Sequence, residues 1–283
     1  MIRWSYWQSD ADECALLAYF EKREWAHLYL AHWVYRACQE VALRKYILLA
    51  YHHSGELLGV IALDKDARLL VDATTTLSLG ADGAWLILAQ WPKPYCLIGT
   101  PTELFWLEQR YERSMHFIGV NYFSMTINPQ AMRNFSLVTP DAIDFVPSTL
   151  ADFSTLLTLE IGYQQEEVMV AKHHLLSENA IATHFRRRLT QEEGYHLQYK
   201  EHILSKASIN VAGRAYDQVA GVYTTPRLRG KGLAKILFYH LFQLYIVRNK
   251  ALVLFVKQEN RSALRLYQSV GFREKQTYRI SYL

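Results

Sequence analysis

Cysteine and long apolar runs are both scarce in this chain. Its 283 residues include three cysteines, Cys14, Cys38 and Cys96, whose wide spacing fits neither a disulfide framework nor a cluster of metal ligands. No apolar run reaches the roughly 18 residues that a membrane-spanning helix needs. Asp10 and Asp12 stand where a secretory signal peptide would have its apolar core. These absences predict a protein of the reducing cytoplasm, with no metal site and no membrane partner.

Strong net charge is also missing. The formal charge is +4 and the pI near 8.8, which suits an anionic ligand but falls short of a nucleic-acid-binding surface. The one dense basic run outside the loop described below is residues 186–188, which we interpret as a helix surface row or as ion-pair partners of Glu192 and Glu193. We therefore expect no nucleic-acid partner.

The length and the order of predicted elements indicate two domains. Apolar residues make up 51% of the chain, enough for a core in each half. Alternating strand and helix patterns run to about residue 128, a proline- and asparagine-bearing stretch follows, and a similar order of elements then starts again. We predict domains at residues 1–128 and 141–283, joined by a linker at 129–140.

The stretch from 221 to 234 has the pattern of an anion site. A β-rich run breaks at Pro226, passes through a basic turn with two glycines, and enters a helical pattern. The free amides and positive dipole end of such a helix attract an anion, and glycine lets the backbone approach it. The cations Arg227, Arg229 and Lys231 and the glycines Gly230 and Gly232 are expected to bind the anion. A nucleotide P-loop would need Gly-x-x-x-x-Gly-Lys-Ser/Thr, which is not found.

A second pattern lies downstream of this loop. Asn260, Ala263 and Tyr267 are three and four residues apart, so they are predicted to share one helix face. Such a face carries an amide, a small residue and a phenol, along which an extended ligand could lie.

The two patterns together resemble the GNAT superfamily of acyl-CoA N-acyltransferases. Residues 229–234, Arg-Gly-Lys-Gly-Leu-Ala, fit its Arg/Gln-x-x-Gly-x-Gly/Ala signature, and residues 260–272 fit Asn-x-x-Ala-x-x-x-Tyr followed by Gly-Phe. The resemblance covers roughly residues 141–283. It implies an α/β (α+β) fold of tandem GNAT-like modules, each with a mixed, mostly antiparallel sheet flanked by helices.

The resemblance also implies a reaction. The loop amides from about Leu228 to Leu233, with Ala234 after them, would hold the pyrophosphate of acetyl-CoA or another short acyl-CoA. The main chain of Val222, Tyr223 and Thr224 would pair with the pantetheine amides, and Asn260, Ala263 and Tyr267 would border the same arm. The amide of Val222 would polarise the thioester carbonyl while an amine attacks it. Tyr267 would be the acid that meets the departing thiolate. Glu160 is the preferred general base, with Asp217, Glu166 and Glu167 as open alternatives.

The first half carries an altered copy of these patterns. A shift of 149 positions lays Thr75-Thr76 on Thr224-Thr225 and Gly83 on Gly232, but places Asp82 at Lys231. With a gap, Thr102 falls at Asn260 and Gln109 at Tyr267. We therefore expect a degenerate first module and a catalytic second one. The alternative is a non-catalytic acyl-CoA sensor; the acceptor amine and the oligomeric state stay open.

Overall fold

The computed structural model describes residues 2–73, 81–112, 117–168 and 177–283. Its residues pack as two compact units, Met1–Ser124 with Lys275–Leu283, and Met125–Glu274. Among the described residues, no helix combines the length and the apolar character needed to cross a membrane.

The first unit has a mixed sheet with helices packed around it. The first four strands pair antiparallel in sequence, and the fifth runs parallel to the fourth. The strands are β1 (Ile2–Tyr6), β2 (Ile47–His52), β3 (Leu57–Leu63), β4 (Arg68–Ala73) and β5 (Cys96–Gly99). The helices are α1 (Asp10–Arg23), α2 (Leu28–Gln39), α3 (Ala81–Leu88) and α4 (Pro101–Glu112). Strand β6 (Ile118–Ile127) starts in this unit and ends in the second, where α5 (Pro129–Arg133) follows.

The second unit repeats this plan. Four strands again pair antiparallel in sequence and a fifth runs parallel to the fourth. Its elements are β7 (Asp144–Pro147), α6 (Phe153–Tyr163), α7 (Glu178–Gln191), β8 (Glu193–Tyr199), β9 (His202–Ala212), β10 (Tyr216–Thr224), α8 (Leu233–Arg248), β11 (Ala251–Lys257) and α9 (Arg261–Val270). A π-helical turn, Gln164–Val168, directly follows α6. The expected α/β class, with a mixed and mostly antiparallel sheet in each module, is confirmed.

The last strand, β12 (Arg273–Tyr282), belongs mainly to the first unit. It pairs antiparallel with β5, with Ile280 opposite Ile98. Its Tyr278 is buried, and Arg279 donates to Glu108 Oε1 of α4 at 2.7 Å. The packing units therefore differ from the predicted domains, because residues 275–283 leave the second half to complete the first unit.

The predicted linker at 129–140 is also partly structured. Asn128 caps α5 by accepting from the amide of Ala131, and Met132 of α5 is fully buried. Phe135 then packs edge-on against Phe242 of α8, with ring centroids 5.8 Å apart. This part of the segment contributes to the core of the second unit. The sequence did not indicate this, because the segment has only weak hydrophobic periodicity.

Helix α8 positions the loop that precedes it. Leu237, Phe238, Leu241, Phe242 and Tyr245 are all buried, so one side of the helix is fixed against the core. The helix begins after Gly232 and ends at Asn249, both of which have left-handed backbone conformations that stop further winding.

Candidate active site

The loop before α8 depends on glycine at two positions. Gly230 has φ 77° and Gly232 has φ 79°, in the left-handed region that residues with a Cβ rarely adopt. No neighbouring heavy atom lies within 4 Å of the place where a Cβ would stand at either position. The glycines are thus required by the backbone conformation, and they leave open space beside it.

A run of free backbone amides follows from this conformation. Leu228 and Arg229 already donate their amides to Thr225 and Pro226, at 2.8 and 3.2 Å. Within the described parts of the chain, the amides of residues 230–234 have no hydrogen-bond acceptor. The amide of Leu228, expected to bind the anion, is therefore occupied, and the free donors begin two residues later. Free amides at a helix N-terminus, with exposed cations beside them, are the kind of donors that can bind an anion.

Strand β10, which leads into this loop, carries a bulge between Ala220 and Tyr223. Ala220 pairs with Ser208 and Tyr223 with Lys206, so Gly221 and Val222 together face the single residue between those partners. Gly221 adopts φ 62°, which permits the bulge. A bulge interrupts the hydrogen bonding between neighbouring strands. Val222, whose amide is expected to polarise the thioester carbonyl, lies in this bulge.

Asn260 fixes the start of α9. Its Oδ1 accepts from the amide of Ala263 at 3.0 Å, so Asn260 is the N-cap and lies outside the helix. Its Nδ2 donates to Oε1 of Glu167 at 2.8 Å. The predicted shared helix face is therefore correct for Ala263 and Tyr267 and wrong for Asn260, whose side chain is held by its cap and by Glu167.

Tyr267 is buried in an aromatic cluster. Its ring meets Phe238 edge-on at 5.8 Å and Phe272 at 6.0 Å. Burial raises the pKa of Tyr267, and the nearby Tyr163 and Glu167 raise it further. The phenol therefore stays protonated at neutral pH, as a hydrogen-bond donor to a leaving thiolate requires.

Glu160, the preferred base, lies in a buried ion cluster. It is 1% exposed, and its Oε2 accepts from Nζ of Lys206 at 2.7 Å. Its Oε1 accepts from Arg188 and from Nε2 of Gln164. Burial alone would raise the pKa of Glu160, but Lys206 and Arg188 hold it below the usual value. Both oxygens are already bonded, so the structure argues against Glu160 as the proton acceptor.

Asp217 is likewise a structural carboxylate. Its Oδ1 accepts from Nζ of Lys250 at 2.8 Å and from the amide of Gly213 at 3.1 Å, and its Oδ2 accepts from the Tyr245 hydroxyl at 3.0 Å. Tyr245 lies about 18 Å along α8 from Leu233, at 1.5 Å per residue. Asp217 thus binds at the far end of the helix from the anion loop, and a catalytic role for it is not supported.

Glu166, one of the open alternatives, contacts the loop itself. It accepts from the Tyr223 hydroxyl at 2.6 Å and from Arg229 at 2.9 Å. The hydrogen bond from Tyr223 lowers the pKa of Glu166, with Arg229 adding to the effect. Glu166 therefore forms an ion pair with Arg229, a residue that was predicted from the sequence to bind the anion.

The sequence did not predict the cleft beside the ion cluster of Glu160. The cleft lies in the second unit, between α6, α7, β8 and β9, and its lining includes Glu160, Arg188, Glu192 and Lys206. Arg188 was expected on a helix surface or paired with Glu192 or Glu193, but it binds Glu160. Lys206 is the one cation between Ile203 and Val211 of β9, and a lone cation in the middle of such a strand was the available signal.

In the first unit, a buried charge cluster stands near the equivalent of the bulge. The 149-residue shift places Asp72 at the position of Gly221. Arg23 binds both carboxylate oxygens of Asp72, at 3.0 and 2.6 Å. His27 Nε2 lies 3.4 Å from carboxylate oxygens of both Asp72 and Glu103. A metal ion would suit this spacing, but Arg23 already occupies the oxygens of Asp72, so the donor set does not fit one.

The first-unit copy of the loop falls outside the described residues. Thr75, Thr76 and Gly80 belong to the part that the structure leaves out. Asp82 lies at the start of α3 and contacts Arg110 of α4. Thr102 and Gln109 both lie in α4. This agrees with the comparison of the two halves, in which α4 corresponds to α9.

Residues 207–280 match a family model described as FR47-like protein. This span contains the bulge, the glycine loop, α8 and α9. A search of curated proteins finds no match.

Solved structures share the fold over almost the whole chain. A Drosophila protein of unstated function superposes with a TM-score of 0.65 at 11% identity, covering 100% of this chain and 98% of its own. A tandem GNAT protein from the clavulanic acid biosynthesis pathway gives 0.57 at 10% identity, with 100% and 98% covered. An acetyltransferase of the GNAT family from Colwellia psychrerythraea gives 0.54 at 14% identity, with 99% and 100% covered. At such identities the likeness is one of fold.

Proposed function

Because the chain has the two-module fold of the GNAT superfamily, we propose that it is an acyl-CoA-dependent N-acetyltransferase whose second unit transfers the acyl group to a primary amine. The free amides of residues 230–234 carry the proposal. Two of these residues are left-handed glycines with open space beside them, and the neighbouring Arg227 and Lys231 are exposed. A pyrophosphate is the anion that such a row of donors fits.

The bulged strand accounts for the other end of the cofactor. An extended pantetheine along residues 222–224 of β10 would bring its thioester from the loop to the bulge. There the amide of Val222 could donate to the thioester oxygen as negative charge develops on it. Tyr267 would donate its phenol proton to the leaving sulfur. Asn260 and Ala263, at the start of α9, would border the same arm.

The reaction that follows is direct transfer. A neutral amine attacks the thioester carbon, the bond from carbon to sulfur breaks, and CoA leaves as the thiol. The amine must first lose a proton, because its ammonium form has no free electron pair. Acetyl-CoA, or another short acyl-CoA, is the proposed co-substrate, and no step requires a metal.

Calorimetry with acetyl-CoA on the wild type and on Gly232→Glu tests the cofactor site. We expect binding by the wild type and a loss of at least about 100-fold in the variant, since the change strains a left-handed position and adds a carboxylate where phosphate would bind. Val247→Glu, at the exposed far end of α8, adds the same charge as a control. Equal binding by all three proteins, or binding by none, would contradict the proposal.

A non-catalytic acyl-CoA sensor is the second candidate. It is favoured by the engagement of Glu160 and Asp217, both fully hydrogen-bonded. A sensor would bind acetyl-CoA without releasing thiol in the presence of any amine. Release of CoA thiol that depends on an added amine would exclude it.

A further inference from the structure

The cleft between α6, α7, β8 and β9 borders the bulge of β10 through two side chains of its lining. Lys206, in its lining, donates to the carbonyl of Gly221 at 3.1 Å. Ser208, also in the lining, donates to the carbonyl of Ala220 at 3.3 Å. The cleft has an open mouth, and its enclosed volume of about 20 Å³ is enough for one water-sized group, such as an ammonium. A group bound there would lie beside the strand segment that carries the proposed thioester site.

One carboxylate oxygen in this cleft has no partner. Oε2 of Glu192 is buried and accepts no hydrogen bond, although Glu192 lines the cleft. Leaving a buried carboxylate oxygen unbonded costs on the order of 1–3 kcal/mol or more. Glu160, by contrast, has both oxygens bonded.

Basic groups lie near Glu192, but none of them binds its Oε2. Arg188 of α7 and Lys206 of β9 both bind the carboxylate of Glu160. Burial is the largest influence on Glu192 and raises its pKa, and Glu160 of α6 raises it further, whereas Arg188, Arg187 and Lys206 lower it. The balance raises the pKa of Glu192 to about 7. Oε2 of Glu192 is thus left available to a cationic group that enters the cleft.

We propose that Glu192 binds the ammonium group of the acceptor and takes its proton. This inference rests on the proposed acyl transfer. The ammonium donates to Oε2, and the proton then moves from nitrogen to that oxygen, leaving a neutral amine and a neutral carboxyl group. The amine attacks the thioester carbon and the bond from carbon to sulfur breaks. Tyr267 gives its proton to the sulfur and is reprotonated by the proton that the nitrogen loses as the amide forms, while Glu192 releases the first proton to water.

The cleft also limits the acceptor class. Ser148 and Ser208 line it together with Glu192, and their hydroxyl oxygens could accept from the remaining N–H groups of an ammonium. Gly194 also lines the cleft, and a Cβ there would approach Cβ of Ser148 to 3.1 Å, so this part of the lining is closely packed. A primary amine on a slender alkyl chain fits these features, whereas a secondary amine or a bulky ring amine does not.

Steady-state thiol release with acetyl-CoA and n-butylamine, cadaverine or spermidine tests the inference in Glu192→Gln. We expect kcat/KM for the amine to fall roughly 100-fold, as for loss of a general base. In the wild type the rate should rise with pH through about 7 as Glu192 ionises, and the variant should lack that limb. Acetyl-CoA affinity should change less than about twofold. Glu201→Gln, which removes an exposed carboxylate at the turn between β8 and β9, should behave as the wild type.

The outcomes separate the two proposals. If acetyl-CoA binds and Glu192→Gln keeps the wild-type rate and pH profile, or no amine releases thiol, the role of Glu192 is wrong and the cofactor site stands. If acetyl-CoA does not bind, the proposed function fails. Direct calorimetry of n-butylamine on wild type and Glu192→Gln then decides whether Glu192 binds amines: equal heats, or none, overturn it. Thermal melting confirms that the variant folds.

Discussion

At the scale of single residues, carboxylates in the second unit divide by whether their oxygens are bonded. Glu160 has each oxygen bonded to a cation, whereas Glu192 has a buried oxygen with no partner. A paired carboxylate is a weak proton acceptor because its cations stabilise the ionised form, while an unpaired buried one is a strong acceptor. Bonding thus predicts which carboxylate supports the structure and which can take part in chemistry.

Glu160→Gln should destabilise the second unit. It leaves the buried Lys206 without its carboxylate, and breaking such a pair costs about 3–5 kcal/mol. Burial already lowers the pKa of Lys206, and Glu160 opposes that shift. Denaturant unfolding at pH 7 measures the loss, with the exposed Glu259→Gln as a matched control.

The pH dependence of this loss has a definite sign. Since the folded-state pKa of Glu160 is lowered, its stabilising effect is full above the unfolded value near 4.5 and is lost as pH falls through the folded value. The difference between wild type and Glu160→Gln should therefore be constant from pH 6 to 7 and shrink in acid. A difference independent of pH down to acid unfolding would show that the ion pair is not its origin.

At the scale of elements, the π-helical turn 164–168 connects both motifs of the proposed cofactor site. Glu166 binds Arg229 of the loop, and Glu167 binds Asn260 at the start of α9. A π-helical turn contains one residue more than the α-helical turn it replaces, and such turns are frequent at functional sites. In this case it places two adjacent carboxylates toward two different elements.

Glu166→Gln should strengthen the binding of acetyl-CoA. The carboxylate competes with phosphate for Arg229, and exposed ion pairs of this kind are worth about 0–1 kcal/mol, or up to roughly fivefold in Kd. Calorimetry at low salt measures the change, and Glu178→Gln, exposed at the start of α7, is the control. Weaker binding by Glu166→Gln would mean that Glu166 supports the loop and does not compete with the ligand.

Elements near the signatures could be predicted from sequence, and distant partners could not. The glycine loop, α8 and α9 follow from local signals, since left-handed turns, caps and helical periodicity are encoded within a few residues. The bonding of Glu160 depends on Arg188 and Lys206, on another helix and a strand, which no local pattern specifies. The placement of β12 beside β5 is likewise a pairing between distant segments.

At the scale of the whole molecule, the two units share a plan but differ in charge at equivalent places. The second unit has an open glycine loop and a bulge at Gly221, while the first has Asp72 there, held by Arg23 and beside His27. The first module also has Asp82 where the second has Lys231, and a carboxylate there would repel a pyrophosphate. We therefore expect one acyl-CoA per chain, bound by the second unit.

A crystal structure with acetyl-CoA tests the central claim most directly. We expect one molecule per chain, with its pyrophosphate oxygens within about 3.2 Å of the amides of residues 230–234. Its thioester oxygen should face the amide of Val222 at the bulge. A pyrophosphate bound elsewhere, or acetyl-CoA seated in the first unit, would contradict the account.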